Sequence, residues 1–305
     1  MPDLPRPLTG IIPPMVTPLT SPDVLDHAGM ATLVEHILAG GVHGLFVLGT
    51  TGEGPGISRN LQRTVVSEVC ALAAERVPVL VGITDCAFAE SLALAEHACA
   101  SGAAALVAAP PPYFATTQSE LLGYFARLAA ASPLPVLLYN MPTHTKVFID
   151  AQTVLAASEI LNIAGLKDSS GNMVYFHTAR SLLAHRSDFS LLVGPEELLA
   201  ESVLLGGHGG VNGGANLFPK LYVRLYEAAR AGDLPGVRRL HETVMQISRL
   251  FYTVGERHSS MLSGLKCALS LKKICADAMA EPYVAFRSAE RDILAERLRE
   301  IVVPP

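Results

Sequence analysis

The sequence predicts a (β/α)8 barrel with a C-terminal helical extension. Two observations carry this. Apolar β-type runs alternate with longer amphipathic stretches, at about one βα unit per thirty residues, as in a parallel sheet covered by helices. Eight such units follow without a break, which favours a closed barrel over an open doubly wound sheet, the alternative reading. The chain has 305 residues, 50% of them apolar and 17% charged, so it can bury a core of that size.

The strand runs are residues 10–16, 44–48, 77–82, 105–109, 135–139, 163–167, 191–193 and 209–212. Helical patterns between them include 26–39, 59–75, 90–100, 119–131 and 174–183. From residue 218 to about 301 the chain shows helical stretches and no convincing strand, with turns at Gly232-Asp233 and Pro235-Gly236. The expected division is a barrel over residues 1–230 and a helical extension over 231–305 packed on it, with no low-complexity linker between.

A net charge of -5 gives no footprint for nucleic acid or an anionic membrane. The mean hydropathy of +0.35 is high, yet no apolar stretch runs long enough to span a bilayer without Pro, Gly or charge. Strands buried on both faces, and subunit contacts, account for it. The start, Met1-Pro2-Asp3-Leu4-Pro5-Arg6, has no apolar signal core. Cys70, Cys86, Cys99, Cys267 and Cys275 show no metal-type pairing and read as reduced small hydrophobes in a cytoplasmic protein, with no metal expected.

Barrel active sites sit at the C-terminal ends of the strands. Lys167 closes the sixth run and is followed by Asp168-Ser169-Ser170-Gly171. A lysine ending a buried strand is costly unless it has a partner or a task, and a neutral amine attacks carbonyls. Alternatively its head reaches water or pairs with Asp168. After the second strand, Gly49-Thr50-Thr51-Gly52-Glu53-Gly54 offers backbone N–H groups and two hydroxyls to a carboxylate, or is a tight turn capped by threonine. It is no nucleotide loop, because no Gly-Lys-Ser/Thr follows. Pro110-Pro111-Pro112 stiffens a loop presenting Tyr113-Phe114, which also suits an interface. The fifth strand brings Tyr139 to the rim, where its hydroxyl relays a proton or merely caps the core. Gly194-Pro195-Glu196-Glu197 follows the seventh strand, and a glycine-rich loop from Gly209 to Asn216 follows the eighth. The histidines form no ligand set, and neither a Gly-x-Ser-x-Gly elbow nor a Rossmann glycine pattern is present.

Together, Gly49-Thr50-Thr51-Gly52-Glu53, Tyr139-Asn140-x-Pro142 and Gly165-Leu166-Lys167-Asp168 resemble the dihydrodipicolinate synthase and N-acetylneuraminate lyase family of class I aldolases, over essentially the whole chain. The resemblance implies a (β/α)8 barrel with C-terminal helices, no cofactor, and a homotetramer built from dimers. It assigns Lys167 a Schiff base with pyruvate or another 2-oxo acid, and Tyr139 the proton shuttle. Thr50 and Thr51 would hold the carboxylate, Thr51 also serving the relay. Tyr113 would cross the dimer interface to complete the neighbour's relay, and Val211 would line the pocket.

The sequence departs from the synthases at one place. They carry an arginine two residues after the proline of Tyr-Asn-x-Pro, to grip the second substrate's carboxylate; here that place is His144. Histidine is mostly neutral near pH 7 and lacks the bidentate fork. The Pro-Thr-x-Thr pattern is closer to 2-keto-3-deoxy-sugar-acid aldolases, which makes such an aldolase the expected activity. A synthase, a neuraminate lyase, a sugar-acid dehydratase and a non-enzymatic 2-oxo-acid sensor are the alternatives. Glu196 either binds a polyhydroxylated chain or is a solvated helix-start glutamate.

Overall fold

The computed structural model describes residues 4–304; the reading of Met1-Pro2-Asp3 lies outside them. Among the described residues, eight parallel strands form the central sheet. They are β1 (Gly10–Ile11), β4 (Leu45–Val47), β5 (Val79–Gly82), β6 (Ala105–Ala108), β7 (Val136–Asn140), β8 (Ile163–Asp168), β9 (Ser190–Val193) and β10 (Gly209–Gly210). β2 (Leu19–Ser21) and β3 (Val24–Leu25) make a separate antiparallel pair that the sequence reading did not anticipate. β4 to β10 lie in chain order and β10 pairs with β1.

The ring closes between β1 and β4. Ile11 accepts from His43 N at 2.8 Å, Pro13 from Phe46 N at 3.0 Å and Phe46 from Met15 N at 2.8 Å, around a bridge between Pro14 and Phe46. The first strand is shorter than the expected run 10–16 because Pro13 and Pro14 have no N–H to give a ladder.

Helices follow where the amphipathic patterns stand, and their starts have chemical causes. Asp26 caps α1 (His27–Leu38), Ser58 caps α2 (Arg59–Ala73) and Asn172 caps α7 (Met173–Leu182), each accepting a backbone N–H of the first turn. Thr117 and Glu120 form a reciprocal capping box on α4 (Gln118–Ala131). α3 spans Phe88–Ala100. α5 (Pro142–Thr145), α6 (Ala151–Ser158) and α8 (Leu199–Leu204) are too short to show a clear period.

Strand alternation splits the core. Leu45, Val47, Val79, Val81, Leu138 and Leu191 face outward to the helices, whereas Ile12, Phe46, Leu80, Val107, Leu137 and Leu192 fill the barrel. α9 (Pro219–Ala231) packs on β1, and α10 (Leu234–Phe251), α11 (Ser260–Leu271) and α12 (Ser288–Glu300) follow. Cys86, read with the other cysteines as a reduced small hydrophobe, is exposed in the loop before α3. Among the described residues no helix is long and apolar enough to cross a membrane.

Candidate active site

The register of two strands builds the centre of the site. Tyr139 of β7 pairs with Lys167 of β8, and Asn140 with Asp168. Parallel neighbours in register point the same way, so Tyr139 and Lys167 both face the barrel interior. A bulge makes this possible. Val136 pairs with Ile163, but Leu137 pairs with Gly165, leaving Ala164 as an extra residue in β8. Ile163 and Leu166 thus both face the helices although three residues apart, and Lys167 is turned inward. Gly165 is suited to this spot: a Cβ there would lie 2.6 Å from the Ser190 carbonyl oxygen.

Lys167 and Tyr139 are buried, at 5% and 6% exposure. Lys167 Nζ lies 3.6 Å from the centroid of the Tyr139 ring and 5.2 Å from that of Phe46. Asp168 does not pair with Lys167. It faces the other way, where it accepts from Asn140 Nδ2 at 2.8 Å, Ser170 N at 3.1 Å and Ser170 Oγ at 3.0 Å. Asn140 Oδ1 accepts from Ile149 N at 3.1 Å. The outward pair thereby locks the two strand ends that carry the inward pair.

The Tyr139 hydroxyl lies 3.2 Å from Thr50 Oγ1. Burial by itself raises the phenol. The Lys167 charge and hydrogen bonds with Thr50, Lys167 and Ser169 outweigh it and hold Tyr139 below the ordinary tyrosine range. The direction makes the phenol a readier proton donor than an ordinary tyrosine.

Thr50 and Thr51 occupy a tight turn after β4. Leu48 leaves the strand with φ 60°, an uncommon conformation for a branched residue. Gly52 N and Gly54 N both donate to Gly49 O, and Thr17 Oγ1 donates to Gly52 O at 2.6 Å. Gly54 is needed for packing, since a Cβ there would come within 2.2 Å of the Leu48 carbonyl oxygen. Both threonines are half-buried.

The other predicted residues divide. Val211 is buried in the same interior cluster as Tyr139. His144 sits exposed on α5, 3.0 Å from Thr143 Oγ1. Packing around its ring, and the Lys146 and Lys167 charges, hold it below the usual histidine range, so it is neutral near pH 7. Tyr113 is 80% exposed and set edge to face with Phe114.

Glu196 corrects the sequence reading. It is buried at 3% exposure, not a solvated helix-start glutamate. Its Oε1 accepts from Tyr222 at 2.7 Å and Tyr252 at 2.8 Å, and its Oε2 accepts from Gly214 N at 2.7 Å. Both oxygens serve protein donors that tie the turn after β9 to α9 and α10. Burial pushes its carboxyl up to about 7 against those hydrogen bonds. The sequence reading also gave no role to Phe46, Ser169 or Lys266. Phe46 was signalled by its inward place in β4. Lys266 was signalled by a lone charge in the apolar stretch Leu262-Ser263-Gly264-Leu265-Lys266-Cys267-Ala268-Leu269.

The chain is similar to known proteins over nearly its whole length. The model of the dihydrodipicolinate synthetase family matches residues 7–301. A solved structure described as dihydrodipicolinate synthase from Bacteroides thetaiotaomicron superimposes with a TM-score of 0.94 at 53% identity, over 96% of this chain and 99% of that one. YagE of Escherichia coli K12, described as a putative 2-dehydro-3-deoxy-D-gluconate aldolase, is 32% identical over 80% of this chain and 81% of its own. Its crystal structure in complex with pyruvate superimposes with a TM-score of 0.91 at 28% identity, over 97% of this chain and 99% of that one. The chain belongs to the dihydrodipicolinate synthetase family and is a lyase of its Schiff-base aldolase type.

Proposed function

We propose that this family member cleaves or forms a 2-keto-3-deoxy sugar acid through a Schiff base between Lys167 and pyruvate. The observation that carries the substrate choice is the neutral His144 at the position where a synthase has its arginine. The Gly49–Gly54 turn and the Thr50 and Thr51 hydroxyls receive the 2-oxo carboxylate. The Lys167 amine adds to the C2 carbonyl, and loss of water leaves a protonated imine. Tyr139 takes the proton of the C4 hydroxyl. The C3–C4 bond breaks, C4 leaves as an aldehyde, and the electron pair flows to the iminium to give an enamine. A proton returned to C3 and hydrolysis of the imine release pyruvate and the free lysine.

Residues 1–230 then form the catalytic barrel and 231–305 its extension. The exposed Tyr113 and Phe114 support a second copy covering them, with Tyr113 completing the neighbour's relay inside a dimer of dimers. Val211 lines the pyruvate pocket. No disulfide links the described cysteines, which supports a cytoplasmic location. A synthase acting on an amino-aldehyde is the second reading, favoured by the 53% identity to the Bacteroides structure.

Steady-state kinetics with saturating pyruvate separate the two. A carboxylate without its guanidinium partner loses roughly 2–5 kcal/mol of binding, whereas a neutral hydroxyaldehyde loses nothing. Glyceraldehyde should therefore outperform aspartate semialdehyde in kcat/KM, and His144→Arg should raise use of the semialdehyde. Condensation of wild-type enzyme with the semialdehyde as efficient as with glyceraldehyde would replace the aldolase reading by the synthase one.

A further inference from the structure

The turn that carries Thr50 and Thr51 is held from outside the barrel. Glu53 lies in it with φ 53°, a left-handed backbone that a non-glycine residue adopts only when its surroundings enforce it. Its side chain is buried and spans two segments of the C-terminal extension. Lys266 Nζ of α11 donates to Glu53 Oε1 at 2.6 Å, and Ala280 N donates to Oε2 at 2.8 Å. The side chains of Lys266 and Glu53 are 0% and 1% exposed. Lys266 stands on a helix whose neighbouring residues Leu265, Cys267, Ala268 and Leu269 are all core. Either charge left alone in such a place is strongly unfavourable, and apolar residues of like volume would stabilise the fold as well. Stability alone therefore gives no reason for the pair.

Its placement gives one. Glu53 N donates to Thr50 O at 3.1 Å, and Thr50 Oγ1 lies 3.2 Å from the Tyr139 hydroxyl above Lys167. A continuous set of contacts thus runs from α11 through Glu53 and the turn to Tyr139 and Lys167. We propose that the Glu53–Lys266 ion pair is a positioning device, by which the C-terminal extension sets the turn for the substrate carboxylate. Neither residue touches substrate. The inference rests on the Schiff-base reading of Lys167, and its test keeps the two apart.

The assay is borohydride trapping of pyruvate on the full-length enzyme, read by mass at the Lys167 peptide over a range of pyruvate, with the melting temperature measured alongside. Lys266→Met should raise the half-saturating pyruvate concentration at least about tenfold, the effect of one carboxylate hydrogen bond lost. The adduct at saturation should stay near wild type. Glu53→Gln combined with Lys266→Met removes both buried charges, so its melting temperature should return toward wild type. Its half-saturation should stay raised, because nothing then draws the turn to α11. The double variant also carries the comparison where Lys266→Met alone fails to fold. Recovery of melting temperature and half-saturation together, or a lowered melting temperature with unchanged half-saturation, overturns the positioning role and leaves the Schiff base standing. Absence of any Lys167 adduct in wild-type enzyme overturns both.

Discussion

Tyr139→Phe isolates the proton shuttle from the architecture around it. The ring remains, so the 3.6 Å approach of Lys167 Nζ to its face is kept, as is the interior packing with Phe46, Leu137 and Val211. Only the hydroxyl goes, with its 3.2 Å contact to Thr50 and its hydrogen bonds with Lys167 and Ser169. Thr50 is half-buried and can turn to water, so the loss of stability should stay modest, one to two ordinary hydrogen bonds or roughly 1–3 kcal/mol. The chemical loss is larger, since removing a positioned acid–base group slows turnover by about a hundredfold or more. Two measurements on the same variant separate these. Thermal denaturation should show a modest shift, and pyruvate trapping on Lys167 should saturate near the wild-type concentration, while kcat for aldol cleavage collapses. Turnover within a few-fold of wild type would show that the hydroxyl moves no proton in the slow step. Joint loss of fold and turnover would show that it serves packing instead.

Two further outcomes follow from single groups. Glu196 has its carboxyl pushed up to about 7 from 4.5. Between those values the folded chain keeps a proton that the unfolded chain has lost, so stability falls as pH rises through that window, by roughly 3 kcal/mol, and is flat above it. Glu196→Gln should remove that slope, and a gap between variant and wild-type melting temperatures that is equal at pH 5 and pH 8 would refute the assignment. Tyr113→Phe should slow turnover, and mixing it with Lys167→Ala subunits should restore part of the activity through the one intact kind of site in the hybrid. Verified hybrids that stay inactive would confine Tyr113 to its own chain or remove it from the relay.

Much of the architecture was legible because the barrel repeats one instruction. Buried strands write themselves as short apolar runs, and capped amphipathic stretches write the helices between them. The lapses have local causes. The first run reads as seven residues of strand, but two prolines within it cannot donate, and a bridge replaces the ladder there. The β2–β3 pair contains Thr20, Ser21 and the exposed Val24, too little apolar alternation to announce a strand. Residues 218–301 read correctly as helical, but that pattern alone does not say what the helices touch.

The site was legible as a set of residue types at strand ends, and not as geometry. Lys167 shows the difference. Strict alternation from the outward-facing Ile163 would place Lys167 on the outer face among the helices, beside the position Asp168 now has. The extra residue Ala164 reverses the phase, and Gly165 tolerates the close Ser190 backbone that the bulge brings. Nothing in the apolar run Ile163-Ala164-Gly165-Leu166 distinguishes a bulged strand from a regular one except the glycine, and glycine alone has several explanations. The same limit hid the Glu53–Lys266 pair, whose members stand 213 residues apart. A glutamate in a turn has an ordinary reading on the surface, and the apolar stretch around Lys266 marks that lysine as unusual without naming its partner. Their chemistry appears only once the fold buries both and leaves each with the other as its counter-charge.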